Sequence, residues 1–276
     1  MTVFWEPCAG GVRVLRLLGD TPCPAVPGVI GGLPVVEIGP YCFAERPVRP
    51  GAQCTGTDTH EITGNFVEEV TLPDTVRVLH SAAFYNCRQL RVFTLRAAAD
   101  APTGLKKLLG AVSADITAEL DGARLFYPEY SEFLDENTPA HIFNHSIEGE
   151  GYRMRQCFTP GGAVDYAAFD ASFTQACVGE SADTLCRLAL GRLVQPFGLS
   201  DNARADYELY LTAHPADAFK LAIDTRDEAA LRLLVGLGLP TADAAVYCSR
   251  AGWSAGAAIL LGRPRRVKKT YDFEDL

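Results

Sequence analysis

The chain has no Cys-x-x-Cys pair, no glycine loop of the GxxxxGK(S/T) or GxGxxG kind, and no His-Glu-x-x-His run. Without a phosphate-cradling loop, nucleotide binding has no mechanism here. The nine cysteines are odd in number and irregularly spaced, which argues against a disulfide framework or a zinc ribbon. Buried, reduced thiols are expected instead. Positive charge is also short: 25 Lys and Arg against 34 Asp and Glu leave a net charge of −9. Affinity for nucleic acid comes mainly from Lys and Arg, so no nucleic-acid partner is expected. The one basic cluster, Arg263, Arg265, Arg266, Lys268 and Lys269, is followed by acidic residues and reads as a solvated tail. Residues 1–20 show no basic start followed by an apolar block. The longest early uncharged stretch, residues 21–36, holds Pro22, Pro24, Pro27 and Pro34, which no membrane helix would accommodate. A soluble, cytoplasmic protein with no membrane partner is expected.

What the chain does have is a repeat. Val67, Val70 and Leu72 are matched by Leu90, Phe93 and Leu95, each 23 residues later. A period in the twenties marks a stacked solenoid, in which each unit buries its apolar face against the next. An earlier copy of the same pattern matches Val35, Ile38 and Phe43 to Val76, Leu79 and Phe84. Between the copies, residues 46–65 are rich in Pro, Gly and Thr and read as a loop inserted into the solenoid. Residues 12–18 (VRVLRLL) alternate and predict a first strand.

The residues VRVLRLLGDTPCPAVPGVIGGLPVVEIGPYCFAE, and then VEEVTLPDTVRVLHSAAFYNCRQLRVFTL, resemble the BspA-like leucine-rich repeats of bacteria. Leu72-Pro73, Val76, Leu79, Ala83-Phe84, Cys87 and Leu90 carry the resemblance, which covers residues 12–95. It implies a strand, a proline-bearing turn and a second apolar segment in each turn of a binding solenoid. His80 departs from the pattern: it stands where Gly39 stands in the earlier copy, which puts the tight turn there in question.

Past Leu95 the repeat decays. Ile116–Leu120 and Ala123–Phe126 flank Asp121-Gly122 and predict a hairpin that caps the solenoid. From Val164 the pattern turns helical, with Tyr166, Phe169 and Phe173 on one predicted face. Short helices follow to Gly262. Ala230, Leu233 and Leu234 reappear 27 residues on as Ala257, Leu260 and Leu261, and these segments loosely resemble ankyrin-like second helices. The expected fold class is α+β: a short leucine-rich-repeat solenoid, then an all-helical repeat-like module. The expected domains are 1–128, the solenoid with its hairpin cap; 129–200, a mixed connector, helical from about 164; 201–262, helical hairpins; and 263–276, a flexible tail.

Two groups of residues are candidates for function. If Val67, Val70 and Leu72 point inward, Glu68, Glu69 and Thr71 point outward, as do Arg91, Val92 and Thr94 one repeat on. This exposed strand face is where a protein partner would bind, and the same residues are also ordinary cross-strand neighbours. The second group is His141 and His145, whose i, i+4 spacing would share a helix face, with Glu148, Glu150 or Cys157 as a third metal ligand. Cys157 with either histidine and Asp165 would be a thiol hydrolase set, although no nucleophile signature surrounds it. The reading favoured is a non-enzymatic interaction scaffold with no cofactor and no metal, whose protein partner is unknown. A hydrolase or metalloenzyme centred on His141, His145 and Cys157 is the alternative. A structural unit that self-associates through an exposed solenoid edge is a third.

Overall fold

The computed structural model describes residues 1–47, 52–137 and 142–262. They fall into two units, residues 1–207 and the residues from 208 onward, each described by itself. The first is mixed α and β, with a curled sheet that forms a β-solenoid of about four turns. The predicted tail at 263–276 and His141 lie outside the described residues.

The solenoid alternates between two sheets. In the first sheet, β1 (Thr2–Cys8) and β2 (Gly11–Leu18) form an antiparallel hairpin that closes one end. β3 (Val29–Ile30) turns into β4 (Leu33–Ile38), which lies parallel to β2 with Val12 opposite Val35. β5 (Gln53–Cys54) adds to the outer side of β1. β6 (Glu69–Leu72) belongs to the second sheet. The chain then returns to the first as β7 (Val78–Leu79), parallel to β4 with Ile38 opposite Leu79. β8 (Val92–Ala98) lies parallel to β6. In the next turn a short helix, α1 (Leu105–Leu109), packs on β7 where a strand would otherwise go. Gly104 permits the close approach, since a Cβ there would sit 2.3 Å from Leu79 Cγ. β9 (Ile116–Asp121) continues the second sheet parallel to β8, and β10 (Ala123–Tyr127) folds back on it antiparallel around Asp121-Gly122. An antiparallel hairpin therefore caps each end and covers the apolar face that a terminal turn leaves open.

The 23-residue offset is the register of the second sheet: Val70 pairs with Phe93 and Leu72 with Leu95. All four side chains are buried, with Ala118 and Leu120 of β9 below them. Between the sheets the aromatic column runs from Phe43 stacked on Phe84 at 4.8 Å to Phe93 edge-on at 5.9 Å. The turn at His80 is kept. Positive φ falls two residues later, on Ala82 (56°), as it does on Tyr41 (59°) after Gly39. The left-handed residue is thus not the one that departs from the repeat.

A further rung of the second sheet comes from the proline-rich segment before β3. Pro22 O accepts from the N–H groups of Glu68 and Glu69, Pro24 O accepts from Thr71 N–H, and Val26 N–H donates to Thr71 O. The prolines supply only carbonyls, so their missing N–H groups cost no ladder bond, as suits an edge. The inserted loop covers Arg16, which is 1% exposed. Its guanidinium donates to the carbonyls of Tyr41, Ala44 and Arg46 and to Glu61 Oε2.

After the cap the chain runs out as a two-stranded ribbon, β11 (Ser131–Asn137) and β12 (Ile142–Glu148), with Leu134 opposite His145. This corrects the helical placing of the histidines: His145 lies on a strand, where i, i+4 residues are far apart along the chain direction. Helices α2 (Gly151–Met154), α3 (Tyr166–Ala171), α4 (Phe173–Gly179) and α5 (Ala182–Val194) complete this unit. The predicted single helix breaks at Ser172, whose hydroxyl donates to Ala168 O at 3.0 Å and bends the turn. Tyr166, Phe169 and Phe173 are nevertheless all buried. α5 packs on β10, and Phe197 N–H donates to Gly122 O. Beneath them Arg192, fully buried, forks onto Asp170 at 2.7 and 3.0 Å, and Tyr207 OH donates to Asp170 at 2.9 Å. Arg155 is a second buried staple, donating to the carbonyls of Val112, Ser113, Ala114, Pro128 and Gly151.

The division between the units falls within α6 (Asp201–Ala213). The second unit holds α7 (Pro215–Asp224), α8 (Glu228–Gly236), α9 (Ala242–Arg250) and α10 (Ser254–Leu261). α7 packs on α8 and α9, and α10 on α8 and α9. Ala230, Leu234 and Leu260 are buried between them. Pro215 opens α7 at its first turn, and the Asp227 carboxylate accepts from Ala230 N–H to cap α8.

Candidate functional site

The outer face of the second sheet carries the candidate binding residues. Thr71 pairs with Thr94, and Thr94 with Glu119, so one polar side chain per turn forms a row across β6, β8 and β9. Alternation fixes this: Val70, Leu72, Phe93, Leu95, Ala118 and Leu120 fill the core, and the residues between them face out. Thr71 and Thr94 are half-buried and line an open cleft of about 910 Å³. Ala25, Pro27 and Gly28 wall one side, with Pro73, Asp74, Arg96, Glu119, Asp121 and Gln195 around it.

The other four candidates lie nearer the strand starts, outside the cleft lining. Glu68, Glu69 and Arg91 are exposed and Val92 is half-buried opposite Glu69. Arg91 N–H donates to Glu68 O at 2.8 Å, so these rungs are neighbours as the repeat requires. The Arg91 guanidinium turns to its own loop and donates to the carbonyls of Arg88 and Leu90. Glu119 and Asp121 were not among the candidates, because the cap hairpin hid that β9 also continues the sheet. A weaker version of the repeat signal was present: Ala118 and Leu120 follow Phe93 and Leu95 by 25 residues.

The cleft is rich in acceptors. Asp74, Glu119 and Asp121 stand against Arg96, and Glu119 is ion-paired with Arg124, Oε1 to Nε 3.1 Å. The Gln195 amide oxygen is shielded from solvent and, among the described residues, accepts no hydrogen bond. In the second unit a groove of about 580 Å³ between α7 and α9 is lined by Phe219, Ile223, Val246, Tyr247, Lys220 and Arg250.

The residues considered for chemistry are occupied otherwise. Cys157 is buried, and its Sγ lies 3.5 Å from Arg153 O and 3.8 Å from Ser172 Oγ. Burial pushes its thiol up, away from the thiolate that a nucleophile needs. Asp165 caps α3 by accepting from Ala168 N–H. His145 is exposed and 3.2 Å from Glu132 Oε2. Among the described residues no group of three or more His, Cys, Asp or Glu is placed to hold a metal ion. No disulfide joins any of the nine cysteines. Five are buried, and burial pushes Cys42 and Cys87 up to about 12.

No protein-family model, curated protein or solved structure matches this chain. Among the described residues no helix is long and apolar enough to cross a membrane.

Proposed function

We propose that this chain is a non-enzymatic protein-interaction scaffold. Its BspA-like leucine-rich solenoid binds a protein partner on the outer face of the second sheet, and its ankyrin-like helical unit is a second repeat module. The observation that carries the reading is the cleft floored by Thr71, Thr94 and Glu119, one residue from each of three stacked turns. A site built from successive turns of a rigid stack suits an extended segment that runs across the strands. Its carboxylates and threonine hydroxyls favour a segment rich in N–H donors, such as one bearing Lys or Arg. A cytoplasmic location is part of the proposal, and nine cysteines with no disulfide among them are in keeping with a reducing compartment.

Affinity capture from the native cell extract tests the reading, with the wild-type chain and a Thr71→Lys, Thr94→Lys double variant as baits. Both positions face outward, so the variant keeps its core. A protein retained by the wild type and lost by the variant is the expected result. Equal retention by both baits contradicts it.

A further inference from the structure

We infer that β12 is a self-association edge, through which two copies of the chain join as a two-fold dimer. Among the described residues, β11 and β12 pair only with each other, so each presents an outer row of unpaired N–H and C=O groups. A lone two-stranded ribbon is marginally stable in water. This one also exposes Phe133, Leu134 and Ile147, with relative exposures of 44%, 68% and 37%.

The two edges differ in charge. β11 (SEFLDEN) carries Glu132, Asp135 and Glu136, whereas β12 (IFNHSIE) carries a carboxylate only at its last residue, Glu148. Charged residues on an edge strand are the usual guard against pairing with another chain. β11 has that guard and β12 lacks it.

The same contrast selects the occupant. Antiparallel pairing of β11 with its own copy, centred on Leu134, would gather the exposed carboxylates of Glu132 and Asp135 from both copies along one short seam, and charges on an edge oppose such pairing. Pairing of β12 with its own copy, centred on His145, sets Ser146 opposite Asn144 and Glu148 opposite Ile142. No carboxylate meets a carboxylate. Such a contact is isologous, so it closes at two copies and does not propagate. It also unites the ribbon face that holds Leu134, His145 and Ile147 with its symmetry mate in one four-stranded sheet, since cross-strand partners share a face. The contact is a single strand pair, well below the area of a standard interface, so the dimer is weak and concentration-dependent.

The dyad residue supplies the test. Sedimentation velocity on the full chain, from low to high micromolar, should show a monomer–dimer equilibrium. His145→Lys sets two ammonium groups face to face and should leave only monomer, whereas Leu134→Lys, on the other strand, should not. Under mild oxidation His145→Cys should cross-link to itself, because opposed Cα atoms fall within the roughly 4.4–6.8 Å that a disulfide spans. The wild-type chain is the baseline for its own exposed Cys23, Cys54 and Cys177. A chain that stays monomeric throughout, or cross-linking of Leu134→Cys as strong as that of His145→Cys, overturns the inference.

Discussion

Phe84 shows how a single residue holds this fold. It is 1% exposed, stacked on Phe43 from the turn before and edge-on to Phe93 of the other sheet, so it joins two turns and both sheets. Phe84→Ala removes a large apolar side chain from a position that cannot collapse without unstacking a turn. The expected cost is about 3–5 kcal/mol, read as a lowered denaturation midpoint of the full chain. A midpoint shift worth less than about 1 kcal/mol would mean that the column is not continuous core. Asp170 and Arg192 pose a different problem, since both are charged and buried. Tyr207 donates to the same carboxylate, and burial together with Asp170 pushes the tyrosine hydroxyl up, which keeps it a donor. Removing one partner strands the other, so Asp170→Leu should cost about 3–5 kcal/mol. Adding Arg192→Met should recover part of that loss, with a coupling on the order of 1–3 kcal/mol in a double-mutant cycle. Strict additivity would mean that the pair contributes no coupling. Of the three buried arginines, neither Arg16 nor Arg192 was legible in the sequence. Arg16 lies in an alternating strand and Arg192 in a helix, and each is covered by a segment distant in the chain.

At the scale of elements, legibility followed the presence of a buried face. The β6 and β8 register was readable because Val70, Leu72, Phe93 and Leu95 face one core at a fixed offset. The β9–β10 hairpin was readable from Asp121-Gly122 between two alternating runs. The rung at residues 22–26 was not, since Pro22 and Pro24 argue against a strand unless only their carbonyls are used. The β11–β12 ribbon was not readable either. Both of its faces meet solvent, so no two-residue apolar period marks it, and the histidine spacing pointed to a helix. One element-scale feature is a charge ladder on the first sheet: Glu6 and Glu37 each bind Arg13, at 2.7 and 2.6 Å, and His80 binds Glu37 at 2.7 Å. The hydrogen bond from His80, joined by Arg13, holds the Glu37 carboxyl below its usual range. A carboxyl lowered in the folded state stabilises above its unfolded value and loses that contribution as pH falls through the folded value. Chemical denaturation of wild type and Glu37→Gln should therefore differ at neutral pH and converge below about pH 4, the ordinary glutamate range. Parallel curves from neutral to acid pH would show that the ladder adds nothing to stability.

For the molecule as a whole, the stacked turns matter because they make a row: Thr71, Thr94 and Glu119 belong together only in the folded stack. Only part of that candidate cleft was legible. The repeat aimed Thr71 and Thr94 outward, while Glu119, Asp121 and Gln195 came from the cap and from the end of α5. Glu68 and Glu69 border the cleft row without lining it, so Glu69→Lys should act through long-range charge. With a captured partner in hand, it should change the association rate and its salt dependence more than the dissociation rate. Binding on the second sheet is tested most directly by the dissociation constant of that partner, by calorimetry, for wild type, for Thr94→Lys, and for Val246→Lys in the groove between α7 and α9. A partner seated on the second sheet should lose at least tenfold in affinity, about 1.4 kcal/mol, with Thr94→Lys and nothing with Val246→Lys. Unchanged affinity in Thr94→Lys, with the loss in Val246→Lys, would contradict that placement and assign binding to the helical unit.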